Sequence, residues 1–336
     1  MSVARGGGAL SLPKFRHNVA KRIGRFLLVD GGVNTGISNK KATKRSKRIR
    51  SKADEEGKDL VRWMCEELKA RQVAGTEKRE LWSMYRRLTR GEPLAYILGN
   101  VPFGPLARLE VRPPILIPRP ETEEWTERLA SMLIASPAPR SEAIKILDLC
   151  TGSGCIALSL FSHLTKHRQA EVLGLDKSRI AVELARRNAH SLFPPQQSQS
   201  ASKVAFEQAD MFDFDPVSVG GPFDVVVCNP PYIPLDQWEK LEDGVRLWEN
   251  KAALVGPGET GLGFYKRLAA LVKSGGLLRA PSSEAKGKRR PAIVVEVGHD
   301  QAEKVRDIFK GTGVGLDIEI WKDAFKVQRA LFMYHQ

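Results

Sequence analysis

The 336-residue sequence is short of the features that staple small proteins or anchor membrane proteins. It has four cysteines, Cys65, Cys150, Cys155 and Cys228. That is too few for a disulfide scaffold and suits a reducing compartment. Cys150 and Cys155 lie close together, but no second Cys/His pair has zinc spacing, so no metal site is expected. His163 and His167, four apart, read as a solvated helix face. No apolar run approaches the roughly 18 residues of a membrane span, so no membrane association is expected. Acidic residues are almost missing from one region. Residues 1–52 hold 14 of the 53 Lys and Arg but one acid, Asp30, which places +13 of the +14 net charge there and leaves the rest at +1. A nearly neutral body lacks the basic groove that a nucleic-acid substrate demands.

What is present falls into segments. Residues 1–52 read as a basic tail without hydrophobic periodicity, carrying Gly6-Gly7-Gly8, Gly31-Gly32 and the basic run Lys40 to Lys52. Its first 29 residues have no acid and resemble a mitochondrial presequence, with Phe15 to Leu28 able to form a basic amphipathic helix. Residues 53–91 read as a small helical region of two helices. Leu60, Val61, Met64, Cys65 and Leu68 share one face, and Leu81, Trp82, Tyr85 and Leu88 share another. Residues 92–120 hold seven prolines and read as an extended connector with a hairpin around Tyr96 to Val111.

From Glu121 a helix leads into alternating strands and helices, which is the signature of a parallel sheet covered on both faces. Strands are expected at Ile144–Leu149, Glu171–Leu175, before Asp210, at Phe223–Cys228 and at Ala292–Val297. Helices are expected at Ile156–Leu164, Arg179–His190 and Phe264–Val272, with a terminal antiparallel pair at Leu316–Trp321 and Gln328–Tyr334. Pro194 to Ser202 and Pro281 to Arg290 read as surface insertions.

Two motifs carry chemistry. Asp148, Cys150, Thr151, Gly152, Ser153 and Gly154 leave a strand and enter a helix, where glycines admit a ligand to the backbone beside the helix N-terminus. The dinucleotide fingerprint is incomplete, because Ala157 stands where its third glycine belongs. Asp176 ends the next strand, where a carboxylate can accept both ribose hydroxyls. Together these point to a nucleoside-containing cofactor. The second motif, Asn229-Pro230-Pro231-Tyr232, follows the fourth strand. The Asn229 amide and the Pro230 carbonyl offer two acceptors, prolines fix the backbone, and Tyr232 adds a flat face. That is a receptor for a planar NH2 group.

These residues resemble the class I S-adenosylmethionine-dependent methyltransferases that alkylate planar amides or exocyclic amines. Arg90-Gly91-Glu92-Pro93, Tyr96-Ile97-Leu98-Gly99, Ile115 to Glu123 and Glu296 to Gln301 narrow the resemblance to the HemK/PrmC family of protein-(glutamine-N5) methyltransferases of peptide-chain release factors. The resemblance runs from about Arg90 to the C-terminus. It implies an α/β, Rossmann-like, mostly parallel seven-stranded sheet with a terminal antiparallel hairpin in residues 121–336. It implies S-adenosyl-L-methionine as cofactor, held by Asp148, Cys150 to Gly154 and Asp176, with Asp210 and Met211 at the adenine and Asn229 beside it. It implies a substrate glutamine, from the Gly-Gly-Gln loop of a release factor, held by Asn229, Pro230, Pro231 and Tyr232, with Pro118, Arg119, Pro120 and the residues on to Glu123 in the wall. A mitochondrial-matrix member of the family is expected from the tail.

The sequence departs from the family pattern at three places: the helical region before Arg90 is short, Glu249-Asn250 stands for the usual Glu-Pro, and Gly256 to Gly261 stands for the usual Gly-Gly-x-Asp-Gly turn. Two other functions are compatible with parts of the chain. An adenine-N6 methyltransferase of DNA or RNA would use the same receptor but needs a basic body or a target-recognition domain. A non-catalytic RNA- or ribosome-binding protein would use the tail and leave Asn229 and Asp176 without a purpose.

Overall fold

The computed structural model describes residues 11–30, 44–73, 75–136, 143–194, 202–280 and 290–336. Gly6 to Gly8, Gly31, Gly32 and most of the two expected surface insertions lie outside the described residues. The chain divides into two units, Met1–Leu98 and Gly99–Gln336.

The first unit holds α1 (Leu12–Asp30), α2 (Lys44–Ala70), α3 (Glu77–Leu88) and the short α4 (Leu94–Leu98). Its core joins Val19, Ala20 and Ile23 of α1 to Val61, Met64, Cys65 and Leu68 of α2, Leu81 and Met84 of α3, and Ile97 of α4. Sequence reading gives residues 1–52 no packing pattern, yet among the described residues of α1 Val19, Ala20 and Ile23 are buried. The reason is that a short apolar stripe set among Lys and Arg is masked by their charge, while long basic side chains keep their heads in water beside it. Arg22 does this over the ring of Trp82, 5.1 Å from its centroid. The hairpin expected from Tyr96 begins later, because Pro93 starts α4 instead.

The second unit opens with the antiparallel pair β1 (Asn100–Phe103) and β2 (Leu106–Glu110). Helix α5 (Pro120–Ile134) follows, with Pro120 at its start where a missing N–H costs nothing. Then come β3 (Ile144–Leu149), α6 (Cys155–Leu164), β4 (Ala170–Asp176), α7 (Arg179–Leu192), β5 (Lys203–Gln208), β6 (Val225–Cys228), the one-turn α8 (Asp243–Arg246), α9 (Gly263–Ser274), β7 (Ile293–Glu296), α10 (Ala302–Lys310), β8 (Leu316–Lys322) and β9 (Gln328–His335). The seven-stranded sheet has the order β5-β4-β3-β6-β7-β9-β8. Its first five strands are parallel; β9 runs antiparallel to β7, and β8 to β9. β6 and β7 are buried throughout, as strands covered on both faces must be. α10 has no counterpart in the sequence reading, although Ala302, Val305 and Phe309 are buried along one face and Ile308 packs beside them; at nine residues the helix is short for its period to stand out.

From β3 the chain progresses outward to β4 and β5, then returns to the other side of β3 for β6 and β7. The topological switch point therefore lies between β3 and β6, and ligands bind beyond the carboxyl ends of strands at such a point. Cys150 leaves β3 there and Asn229 leaves β6. The structure corrects one member of the expected solvated histidine pair, His163, and leaves the other, His167, exposed. His163 meets Glu127 of α5 at 2.8 Å, and His167 lies beyond the end of α6. Glu127 is 36 residues away in sequence, which is why no partner is visible locally.

Candidate active site

The turn after β3 is shaped by left-handed backbone at Cys150 (φ 60°), Gly152 (φ 58°) and Gly154 (φ 82°). At Gly152 a Cβ would meet nothing within 4 Å, so the backbone there stands open toward a ligand. Two hydrogen bonds tie the turn to β4: Thr151 N–H to the Leu175 carbonyl at 3.0 Å and Gly152 N–H to Asp176 Oδ2 at 2.9 Å. Beneath them Gly174 has no room for a side chain, since a Cβ would lie 2.5 Å from the Phe206 ring. The buried Asn188 of α7 holds the turn from the far side, donating to the Ser153 carbonyl at 2.9 Å and to the Glu110 carbonyl at 3.1 Å while accepting from Glu110 N–H at 2.8 Å.

Asp148 is fully buried under this turn. Its Oδ2 accepts from the Thr151 hydroxyl at 2.5 Å, and its Oδ1 makes no hydrogen bond of normal geometry. Burial pushes its carboxyl up to about 7. Asp176 also accepts from Ser178 N–H at 2.8 Å, and burial raises its carboxyl as well. Asp210 accepts from Lys177 Nζ at 2.7 Å and from Phe212 N–H at 3.0 Å, and the Lys177 hydrogen bond holds its carboxyl below the usual range. Arg267 Nε donates to the Met211 carbonyl at 2.9 Å and fixes the loop after β5.

These groups surround a cavity of about 300 Å³. Cys150, Gly152, Asp176, Asp210, Met211, Asn229 and Pro231 line it, joined by Leu149, Phe214 and Phe264 as apolar walls and by Pro114, Ile115 and Leu116 from the segment before α5. The thiols beside it are not prepared for metal or nucleophilic work. Cys150 is pushed well up by its hydrogen bond with the Cys228 thiol and by burial, and burial takes Cys155 to about 12. Among the described residues no group of His, Cys, Asp and Glu could hold a metal ion.

On the β6 side, Asn229 meets α5. Asn229 Nδ2 donates to Thr122 Oγ1 at 3.2 Å. Thr122 Oγ1 donates to Glu296 Oε2 at 2.6 Å, where Trp125 Nε1 also donates at 2.8 Å. The Tyr232 hydroxyl approaches Glu296 Oε1 at 3.4 Å, and Tyr265 donates to the Glu296 carbonyl at 2.9 Å. Burial raises the Glu296 carboxyl and keeps Tyr232 protonated. Tyr232 is anchored by its backbone N–H to the Leu254 carbonyl at 3.1 Å, and its own carbonyl accepts from Gln301 Nε2 at 2.9 Å. Among the described residues, neither the Pro230 carbonyl nor Asn229 Oδ1 is taken by an internal donor. Both acceptors remain free for a ligand.

The donor set can be tested against the cofactor. Two carboxylates, Asp176 and Asp210, line the cavity with one ammonium, Lys177, which is paired to Asp210. Among the described residues Asp176 has no basic partner there, and a pyrophosphate beside it would meet like charge. A nucleoside diol finds an acceptor at Asp176, a flat base finds Met211, Phe214 and Phe264, and a cationic sulfonium meets a cavity of compatible sign. The residues therefore fit S-adenosylmethionine and disfavour a dinucleotide.

The residues singled out from sequence are not all at the cavity. Asp148, Thr151 and Ser153 are buried behind its wall, where they brace the turn. Pro118, Arg119, Pro120, Gly154, Pro230 and Tyr232 do not line it, although Pro230 sits between the lining residues Asn229 and Pro231. Arg119 instead forms a forked pair with the buried Glu249 at 2.7 and 2.8 Å. Asn250, where the family pattern has proline, donates its backbone N–H to the Pro114 carbonyl at 3.2 Å, a bond a proline could not make. Sequence reading puts Thr122 only in the wall and Glu296 only in a family motif, with no role toward Asn229 for either, and does not single out Trp125. Beyond those motifs, the local signal for Glu296 is a carboxylate closing the apolar run Ile293-Val294-Val295.

Comparison with known proteins gives the same reading from outside. The methyltransferase domain family matches residues 140–254. The chain is 35% identical over 248 residues to the release factor glutamine methyltransferase of Chlorobaculum tepidum, covering 73% of this chain and 76% of that one. It is 33% identical to the protein of the same name from Bacteroides thetaiotaomicron, covering 75% and 81%. It is 32% identical to the probable MRF1 mitochondrial N(5)-glutamine methyltransferase mtq1 of Schizosaccharomyces pombe, covering 76% and 81%. With a third of its residues shared over three quarters of these proteins, and with the sheet and receptor in place, the chain belongs to the release factor glutamine methyltransferase family.

Proposed function

We propose that this chain transfers a methyl group from S-adenosyl-L-methionine to the side-chain nitrogen of a glutamine, in the Gly-Gly-Gln loop of a peptide-chain release factor, and thereby acts in translation termination. The observation that carries this is the pair of free acceptors, Asn229 Oδ1 and the Pro230 carbonyl, at the switch point beside the cavity.

The cofactor, when bound, supplies an electrophilic methyl on a sulfonium. The chain's own residues do the rest. An amide nitrogen is a weak nucleophile because its lone pair is delocalised into its carbonyl. Holding it in line with the methyl at near-attack distance supplies much of the acceleration. Asn229 and Pro230 accept the two N–H bonds of the substrate amide, and their preorganised dipoles stabilise positive charge developing on nitrogen. Tyr232 packs on the amide plane. Its protonated hydroxyl is turned to Glu296 and takes no proton from the substrate. The substrate nitrogen takes the methyl, leaves the electron pair of the broken S–CH3 bond on sulfur, and loses one proton to solvent after transfer. Asp176 receives the ribose hydroxyls, and Asp210 with Met211 borders the base. The flanking glycines of a Gly-Gly-Gln loop let the glutamine side chain extend into a narrow cleft without backbone obstruction.

Incubation of the full chain with release factors and labelled cofactor, followed by peptide mass mapping, tests this. One methyl on the loop glutamine is expected, and none when that glutamine is alanine. A methyl on a nucleic-acid base, or none on any release factor, would overturn it.

The mitochondrial matrix is the proposed place of action. The support is the acid-poor basic segment before Asp30 and the mitochondrial relative. A reporter fused to residues 1–52 is expected to enter mitochondria; a reporter left in the cytosol would remove the assignment. The segment also packs. Because Val19, Ala20 and Ile23 are buried, a chain starting at Ala53 should lose at least about 2 kcal/mol of stability in its helical unit, measurable by denaturant unfolding.

A further inference from the structure

The Asn229 side chain can point its amide two ways, and only one is useful. With Oδ1 toward the cleft it accepts from a substrate NH2. Turned by 180°, it would present its own NH2 to another NH2, donor against donor. Nothing in Asn229 itself decides between the two. The decision comes from α5 and β7. A threonine hydroxyl has a single hydrogen. At Thr122 that hydrogen is committed to Glu296 Oε2, 2.6 Å away, because a carboxylate oxygen offers lone pairs there. The hydroxyl can then only accept from Asn229, and the group 3.2 Å from it must be the donating Nδ2. Oδ1 is left facing the other way, toward the cavity that Asn229 lines. Trp125 Nε1, donating to the same Glu296 oxygen at 2.8 Å, keeps that carboxylate from rotating. The arrangement joins residues 107 and 174 positions apart in sequence.

We propose that Thr122 and Glu296 are positioning residues that set the orientation of the Asn229 amide and so make the site select an NH2-bearing substrate. Neither touches the substrate; both act through Asn229. The inference rests on the reading of Asn229 as the substrate's acceptor. Glu296 serves as an acceptor only, so glutamine can replace it. Thr122 and Trp125 are both donors and hold the glutamine oxygen toward themselves, while its NH2 turns to the Tyr232 hydroxyl.

The test uses the full chain with a release factor and labelled S-adenosylmethionine. Thr122→Val removes the hydroxyl at nearly constant volume and should lower kcat about tenfold, the scale of one hydrogen bond, with cofactor affinity unchanged. Thr122→Ser should restore most of the rate, and Glu296→Gln should retain it. In an Asn229→Ala background Thr122→Val should add no further loss, because its effect passes through Asn229 alone. If Thr122→Val does not fold, Thr122→Ala and Glu296→Gln stand in, the first losing rate and the second keeping it. A full loss that multiplies with Asn229→Ala, or a Thr122→Val enzyme of normal kcat, overturns the relay. If Asn229→Ala itself keeps the full rate, the acceptor reading fails instead, so the two failures are told apart.

Discussion

The two halves of the site are built differently. The half around β3 and β4 is made mainly from backbone of two consecutive strand–turn units: a glycine turn, the backbone amides of Gly152 and Ser178, and one carboxylate, Asp176, which accepts from both. The half around β6 and β7 is made from strangers. Asn229 is oriented by Thr122 of α5, which is oriented by Glu296 at the end of β7. A cofactor shared by many enzymes can be held by local backbone geometry. A single substrate amide needs a side chain held in one of two orientations, and that takes partners from across the sheet.

Substitutions can break this contrast one half at a time. The largest effect is expected at Asn229. Asn229→Ala should lower the single-turnover methyl-transfer rate by about 10² or more while leaving cofactor affinity near normal, as when a preorganised polar partner is lost. Asp176→Ala should act on the other half, weakening S-adenosylmethionine by about 1 to 3 kcal/mol in calorimetry, the worth of hydrogen bonds to a charged acceptor. Gly174→Ala should cost about 1 to 3 kcal/mol of stability, read by denaturant unfolding, because the new Cβ presses on the Phe206 ring.

Asp148 sharpens the comparison through pH. Its carboxyl is raised from 3.8 to about 7 in the folded state. The neutral form is thus favoured, and the stability it contributes is complete below the unfolded value and lost as pH rises through about 7. Without cofactor, the stability of Asp148→Asn relative to the natural chain should therefore grow by up to about 1.4 kcal/mol per pH unit as pH rises from about 4 to about 7, then level off. A gap that stays constant would place the group elsewhere. The smallest effect is expected from Tyr232→Phe. Its hydroxyl contact with Glu296 is long, at 3.4 Å, and the ring face is what the substrate uses, so the rate should change by less than about threefold.

The same contrast explains what could be read from sequence. Strands β3, β6 and β7 are legible because buried parallel strands are continuous apolar runs, and β3 is read with its observed ends, Ile144 and Leu149, whereas the edge strand β5 buries only Phe206 and shows in sequence only at its end. Asp176 and Asn229 were legible because each polar residue closes such a run at the edge where ligands bind. Glu296 closes one too, but its hydrogen-bond partners Thr122 and Trp125 lie more than 170 residues away, and no local pattern distinguishes a hub from a cap. The packing of α1 is hidden for another reason: Val19, Ala20 and Ile23 stand among Lys14, Arg16, Lys21 and Arg22, whose charge masks the stripe. His163 likewise needed α5 to supply Glu127.

The most direct measurement is a paired one on Asn229→Ala and Asp176→Ala, with cofactor affinity by calorimetry and the single-turnover rate at saturating cofactor taken on the same preparations. The two-half account predicts opposite patterns. Asn229→Ala should keep affinity and lose rate; Asp176→Ala should lose affinity and recover most of the rate once cofactor is saturating. Equal losses of affinity and rate in both variants would show that the halves do not act separately and would contradict the account.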